Sequence, residues 1–179
     1  PDVAMEELLR RRISGLTRPR SAFYGLEEER ASDSSNLPCN HPRIAFRDVA
    51  RATDSRTLIA CLVPPSTVLT HKAPYLFLSP DVDGAMRVRE EAYLLGILSS
   101  TVLDWVARRW VETSLGFHIL RRLPVPEPSE HCRVTDRSVA IAGRLAATDH
   151  RFGTWADRVG VPVGSVTSES EKTELIAEL

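Results

Sequence analysis

Two short apolar runs joined by a polar connection restrict the fold of this chain more than any other feature. Residues 43–49 and 57–63 have the composition of strands, and such a pair predicts a small sheet. The connection between them carries arginines and aspartates: Arg47, Asp48, Arg51, Asp54 and Arg56. Each guanidinium presents a planar set of donors that matches two acceptors at once, as phosphates and base edges require. The pattern therefore favours recognition of duplex DNA over catalysis.

The rest of the chain alternates between strand-like and helix-like segments. Further strands are predicted over residues 68–71, 75–79 and 117–123. Helices are predicted over residues 2–13, 88–98, 100–112 and 135–147, with a last helix from Ser168. Ser99 or Ser100 is expected to cap the third helix, and Ser168 opens the last one as a capping box. The fold class that follows is mixed α/β (α+β), a small mixed sheet with flanking helices.

Proline and polar segments divide the chain into three parts. Residues 1–40 are expected to form an N-terminal helix followed by a polar linker, and residues 41–126 the α/β core. Residues 127–179, after the Pro126-Glu127-Pro128 boundary, form a C-terminal helical segment. The chain opens at Pro1 without an initiator Met and closes within a predicted helix. We therefore expect it to be a piece of a longer polypeptide.

The distribution of charge along the chain is more informative than the net charge. The 179 residues carry a formal net charge of −1, which argues mildly against a free-standing nucleic-acid binder. Between His41 and Lys72, however, there are five basic and two acidic residues, a local net charge of +3. Nearly all positive charge is arginine, since lysine occurs only at Lys72 and Lys172. Arginine is the residue suited to bidentate contacts with phosphate or guanine.

Cysteine content and hydropathy bear on the compartment. Three cysteines are too few and too scattered for a disulfide framework and fit a reducing cytoplasm. There is no signal peptide and no apolar run of about 18 residues, so no membrane span is predicted. We expect a cytoplasmic protein.

The sequence gives no catalytic residues. Neither lysine follows an acidic residue at the spacing of a metal-dependent nuclease core, and Pro64-Pro65 lacks the flanking polar and aromatic residues of an adenine methyltransferase loop. No glycine-rich loop follows a strand. Four possible ligands match no standard zinc spacing: Cys39, His41, His131 and Cys132. We expect no enzyme activity, no bound cofactor and no metal in this chain by itself.

DNA contact is the chemistry that the residues favour most. The candidate contact residues are basic or polar: Arg47, Arg51, Arg56, Thr70, His71, Lys72, Arg108 and Arg109. Arg108 and Arg109 point to different helix faces, so at most one is expected to reach a phosphate. The alternative is a solvated surface on which arginines pair with neighbouring aspartates. Trp105 and Trp110 are interpreted as core anchors, and His118 as a half-buried residue in a strand.

Several segments resemble a known family. The resemblance covers residues 41–126 and the closing helix, and its motifs are residues 43–64, Leu69-Thr70-His71-Lys72-Ala73-Pro74-Tyr75-Leu76, Leu95-Gly96-Ile97-Leu98-Ser99-Ser100, Asp104-Trp105, Arg108-Arg109 and Leu123-Pro124-Val125-Pro126. The chain resembles the C-terminal target recognition domain, the Taq-type specificity domain, of type II restriction–modification adenine-N6 DNA methyltransferases. Related modules occur in the specificity subunits of type I systems.

The resemblance implies a non-catalytic domain that binds double-stranded DNA in a phage-defence enzyme. Its partners are then the DNA and the rest of its own polypeptide, in which a methyltransferase domain binds S-adenosylmethionine. The resemblance leaves open whether the parent enzyme also carries a fused endonuclease. An alternative reading is a protein–protein docking module of a multidomain defence protein. In that reading the first and last helices pack on a partner and the arginines pair with acidic residues.

Overall fold

The computed structural model describes residues 3–21, 23–78, 84–129 and 132–179. The chain forms two compact units, Pro1–His41 and Pro42–Leu179. The second unit continues past Pro126 without a division. The described ranges contain a three-stranded sheet and helices before and after it, so the predicted mixed α/β class with flanking helices is confirmed.

The first unit is built from two helices and two short turns. Helix α1, Val3–Gly15, confirms the predicted N-terminal helix, although Asp2 lies outside the described residues. Helix α2, Glu28–Ser32, packs against α1 and is followed by 3-10 turns at Ser34–Asn36 and Pro38–Asn40. The polar linker predicted up to residue 40 thus contains one short helix and two 3-10 turns. Glu28 and Glu29 in the first turn favour a helix there, because acidic side chains stabilise the N-terminal end of the dipole.

The second unit contains the sheet. Its strands are β1, Arg43–Phe46, β2, Ala60–Val63, and β3, Tyr75–Leu76. The order is β2-β1-β3 and both pairs are antiparallel. All four residues of the central strand β1 are buried. The two long strands lie where the sequence predicts them but are shorter, because the connection between them is tied to other parts of the unit.

One predicted strand is absent and one segment was given the wrong structure. Residues 68–71 form no strand, because Ala73 N–H donates to Thr70 O at 3.0 Å and turns the chain. The segment predicted as a strand over residues 117–123 forms helix α5, Phe117–Leu120. An alternating pattern of so few residues also fits one helical turn, whose buried side carries Ile119 and Leu120. His118 is consequently exposed rather than half-buried.

The remaining helices complete the second unit. Their bounds are α3, Gly84–Ser99, α4, Thr101–Ala107, α6, Arg133–Ala146, α7, Gly153–Val159, and α8, Glu169–Glu178. The sequence missed α7, which ends at Gly160 with φ of 82°. Helix α4 stops at Ala107 instead of continuing to residue 112, and residues 108–110 form a turn. Ser100 caps α4 and Ser168 caps α8, as predicted.

Helix α3 is the centre of the core. It packs against α6, α7, β1 and β2. A Cβ at Gly96 would lie 3.3 Å from the Cβ of Ala142, so a glycine allows α3 and α6 to approach closely. In the described ranges every helix is too short or too polar to span a lipid bilayer.

Candidate nucleic-acid interface

Three segments meet where β1 leaves the sheet. The N–H of Arg47 donates to Ile59 O at 3.0 Å, and the N–H of Asp48 donates to Lys72 O at 3.2 Å. On the other side of the backbone, Leu115 N–H donates to Asp48 O at 2.7 Å. Residues 47–59, named here the arginine loop, are thus tied to the segment around Lys72 and to the segment before α5. This end of the sheet carries most of the candidate residues.

The arginine loop is anchored to α4 by a buried carboxylate. Asp104 is 5% exposed, and its Oδ1 accepts hydrogen bonds from the N–H groups of Thr57 at 2.8 Å and Leu58 at 2.7 Å. Its Oδ2 accepts from Arg108 Nε at 2.9 Å. One side chain therefore satisfies two buried backbone donors and a guanidinium, which fixes the end of the loop that enters β2.

These contacts decide the ionisation of Asp104. Burial opposes the charged form, but the hydrogen bonds from Leu58 N–H, Arg108 and Thr57 N–H outweigh it. The pKa of the Asp104 carboxyl therefore lies below its ordinary value. Asp104 is a charged structural anchor and has no free lone pair directed at a substrate.

Arg108 is used inside the protein. Besides Asp104, its guanidinium donates to three carbonyl oxygens of the arginine loop, Ala52 O at 3.1 Å, Asp54 O at 2.7 Å and Ser55 O. A guanidinium with five donors can cross-link several acceptors in this way. Arg108 thus holds the loop in one conformation, and its donors point into the protein.

Arg47 and Arg56 are also engaged. Arg56 donates to Ser99 O at 2.5 Å and Ser100 O at 3.2 Å, at the C-terminal end of α3, where carbonyl groups lack helical partners. Arg47 donates to Asp54 Oδ2 at 2.6 Å and to the carbonyl of Arg56 at 2.7 Å. The alternative to DNA contact was the pairing of arginines with neighbouring aspartates, and Arg47 is indeed paired, with Asp54.

The other candidates near the sheet face solvent. Arg51, Thr70, His71 and Lys72 are exposed. The guanidinium of Arg51 makes no ion pair or hydrogen bond within the described residues. Lys72 Nζ lies 3.7 Å from Asp48 Oδ2 with 60% of its side chain exposed. Near the sheet, these four residues are the part of the predicted set with donors available to a ligand, and their contact with DNA stays a prediction.

A second exposed group begins on α4 and continues into the segments after it. Trp105 is 60% exposed and Trp110 is 52% exposed, so the interpretation of both as core anchors is wrong. The guanidinium of Arg109 lies over the Trp105 ring, 5.4 Å from its centroid, and that of Arg122 lies 5.8 Å from the centroid of Trp110. The sequence missed this group. The spacing of the buried residues of α4, Leu103, Asp104 and Ala107, would have placed Trp105 on the opposite side of the helix.

No protein-family model, curated protein or solved structure matches this chain. The assignment of a function therefore depends on the chemistry of the exposed residues and on the resemblance of the motifs.

Possible metal ligands and a cleft lined by β2, α3 and α6 complete the inventory of side chains in the described part of the chain that could hold a ligand. No three side chains of His, Cys, Asp or Glu come together there as metal ligands would, and His131 lies outside it. A cleft of about 380 Å³ between β2, α3 and α6 is lined mainly by aliphatic side chains such as Leu62, Leu95 and Ala142. Arg151, the cation in its lining, is paired with Asp149 at 2.8 Å.

Proposed function

We propose that this chain is a sequence-specific double-stranded DNA recognition domain of a larger restriction–modification adenine-N6 DNA methyltransferase, and that it is not catalytic by itself. One observation carries the proposal: a loop fixed by internal hydrogen bonds holds the exposed Arg51 on a segment tied to that of the exposed Lys72. The proposed identity of the parent enzyme rests on the resemblance of the motifs. Methyl transfer and S-adenosylmethionine binding belong to the remainder of that polypeptide.

Three arginines make hydrogen bonds within the protein that hold the arginine loop rigid, and a rigid loop favours recognition of a DNA sequence. Arg47, Arg56 and Arg108 hold the backbone of the arginine loop through their hydrogen bonds to carbonyl oxygens. A preorganised loop loses less conformational entropy on binding, and it positions a base-reading side chain more accurately than a mobile one. These three arginines therefore act as supports, and Arg51 acts as the contact.

The exposed cations have the freedom to exchange partners. The Lys72–Asp48 pair spans 3.7 Å and is largely solvated, so it contributes little to stability. A DNA phosphate can replace Asp48 at Lys72 without loss of a strong contact. Arg51 has a bidentate donor set suited to guanine or phosphate. Thr70 and His71, which precede Lys72, complete a polar, exposed edge.

The test is binding of the full chain to fluorescent duplexes. Anisotropy is measured with a duplex of about 20 base pairs between roughly 50 and 200 mM salt. Arg51→Ala is expected to weaken binding by about 1–3 kcal/mol, and Lys72→Ala to weaken all sequences alike and lower the salt slope by about 1. Arg158→Ala is the matched control, because Arg158 is an exposed arginine on α7 without an ion pair in the described residues.

Enrichment of a randomised duplex library identifies the recognised sequence. A consensus that Arg51→Ala relaxes at one position supports base reading by Arg51. Equal affinity of the wild type, Arg51→Ala and Lys72→Ala proteins overturns this site. If duplexes do not bind at all, the docking module becomes the better assignment.

A further inference from the structure

Two exposed pairs of indole and guanidinium lie on α4 and on the segments that follow it. We name Trp105, Arg109, Trp110 and Arg122 the tryptophan–arginine surface. Each indole is more than half exposed, and each has a guanidinium within 6 Å of its ring centroid, at 5.4 and 5.8 Å. The two pairs are neighbours in the chain, because Arg109 and Trp110 are consecutive residues. Two large indoles exposed to solvent mark an interaction site, since Trp is a mostly buried residue in proteins.

The charge of this surface selects its occupant. Within the described residues, Arg109, Arg121 and Arg122 make no ion pair. The acidic residues between positions 101 and 126 are Asp104, which is buried, and Glu112. No ion pair within the described residues neutralises these three guanidinium groups, so an anionic occupant is expected.

We propose that the tryptophan–arginine surface binds single-stranded nucleic acid by stacking unpaired bases on Trp105 and Trp110, with Arg109 and Arg122 contacting the phosphates. Every base has a π-face, and an indole platform bordered by cations binds bases and backbone together. Aromatic side chains and arginine are also frequent in protein–protein interfaces, so an acidic protein partner is the competing occupant, and a failure of oligothymidylate to bind favours it.

This binding mode goes beyond duplex recognition and does not depend on it. Arg108 directs its donors into the arginine loop, while Arg109 lies over the exposed Trp105. Consecutive residues thus serve different surfaces of one compact unit. Strand separation exposes bases that a duplex keeps stacked, and only such bases can use the indoles.

The tryptophan fluorescence of the chain reports directly on the stacking of bases on the two exposed indoles. The three tryptophans are Trp105 and Trp110, both exposed, and Trp155, which is 3% exposed. Oligothymidylate of about 20 nucleotides, added to the full chain, is expected to quench the two exposed indoles and leave Trp155 unaffected. In the Trp105→Phe, Trp110→Phe double variant, Trp155 alone emits, and the same oligonucleotide is expected to bind without a change of emission.

Affinity for labelled oligothymidylate separates stacking from charge. Trp105→Ala and Trp110→Ala are each expected to weaken binding about tenfold, while Trp105→Phe retains most of the affinity. Arg109→Ala and Arg122→Ala are expected to weaken binding and flatten its salt dependence. Arg158→Ala, which removes the same charge from α7, is expected to bind as the wild type does. Thermal unfolding of each variant confirms that it is folded.

The outcomes distinguish this inference from duplex recognition. Binding of duplex, with no binding of oligothymidylate or with unchanged tryptophan emission, overturns the inference and leaves duplex recognition standing. Quenching by oligothymidylate that the alanine variants lose supports the inference even if duplexes fail to bind. Equal affinity of Trp105→Ala, Trp110→Ala and wild type overturns it, as does an absence of binding to either nucleic acid.

Discussion

Arg108 and Arg109 are neighbours in the chain and belong to regions with different roles. Arg108 donates to Asp104 and to three carbonyl oxygens of the arginine loop, and 28% of its side chain is exposed. Arg109 is exposed, and the one described contact of its guanidinium is with the ring of Trp105. The first arginine holds a loop in place, and the second is available to a ligand.

The difference comes from the geometry of the helix. Consecutive side chains point about 100° apart, and side chains four residues apart lie on one face. Arg108 therefore shares a face with the buried Asp104, and Arg109 with the exposed Trp105. A count of arginines does not reveal which of them can bind a ligand. In this segment the burial of the residue four positions earlier distinguishes Arg108 from Arg109.

The largest effect is expected at the anchor of the arginine loop. Asp104→Ala leaves two buried N–H groups and the Arg108 guanidinium without their acceptor, so the free energy of unfolding is expected to fall by about 3–5 kcal/mol. Asp104→Asn keeps an oxygen for Thr57 and Leu58 and is expected to lose less. Urea unfolding measures both. Wild-type stability of Asp104→Ala would mean that the loop has another anchor.

The pH dependence of the same anchor has a definite sign. The folded pKa of Asp104 is below its unfolded value, so its charge contributes stability above the unfolded pKa, and the contribution is lost as pH falls through the folded pKa. Asp104→Asn is expected to lose less stability than the wild type over that acidic range.

Glu91 is a second buried carboxylate, and it shows how ionisation changes when the described partner is not a guanidinium. It is 5% exposed like Asp104, but its described partner is the indole N–H of Trp155 at 2.8 Å. Burial raises the pKa of Glu91 to about 7, and the Trp155 hydrogen bond only partly opposes this. The stability that the neutral form contributes is present below the unfolded pKa and lost as pH rises through the folded pKa.

Glu91→Gln removes this ionisation and keeps an oxygen for the Trp155 N–H. At about pH 8 it is expected to stabilise the fold by about 3 kcal/mol relative to the wild type, with a small difference at about pH 4. Urea unfolding at both pH values measures the difference. A gain that is equal at the two pH values would show that ionisation of Glu91 is not its cause.

Local patterns predicted the helices better than the sites. The periodicity of α3, α6 and α8 and the caps at Ser100 and Ser168 are local signals, and the structure confirms them. Helix α5 was predicted as a strand, because four residues fit either period. Helix α7 was hidden by the glycines that precede and end it.

The contacts of the arginine loop are long-range and could not be predicted. Thr57 N–H reaches a carboxylate 47 positions away, and Arg56 reaches a carbonyl 43 positions away. No spacing in the sequence marks such pairs. The exposure of Trp105 could have been predicted, because the buried residues of α4 occupy the other side of the helix. Composition alone, which favours burial of tryptophan, gave the opposite answer.

A direct comparison of the two neighbouring arginines is expected to give a smaller effect. Arg108→Ala removes the cross-links to the arginine loop and leaves Asp104 without its cation, at an expected cost of about 2 kcal/mol, since water can reach the freed carbonyls. Arg109→Ala is expected to change stability by less than about 0.5 kcal/mol. Thermal unfolding of the two variants measures the contrast. Equal costs would contradict the division of roles between them.

The exposed indoles are expected to contribute less to stability than a core tryptophan. Trp105→Ala and Trp110→Ala each remove one cation–π contact and the buried part, less than half, of one indole, so the free energy of unfolding is expected to fall by about 1–2 kcal/mol. A core tryptophan would cost about 3–5 kcal/mol on the same truncation. Urea unfolding separates these values by more than its error. A loss in the larger range would mean that the indoles are core anchors after all, and the surface they share with Arg109 and Arg122 would then not be available to bases.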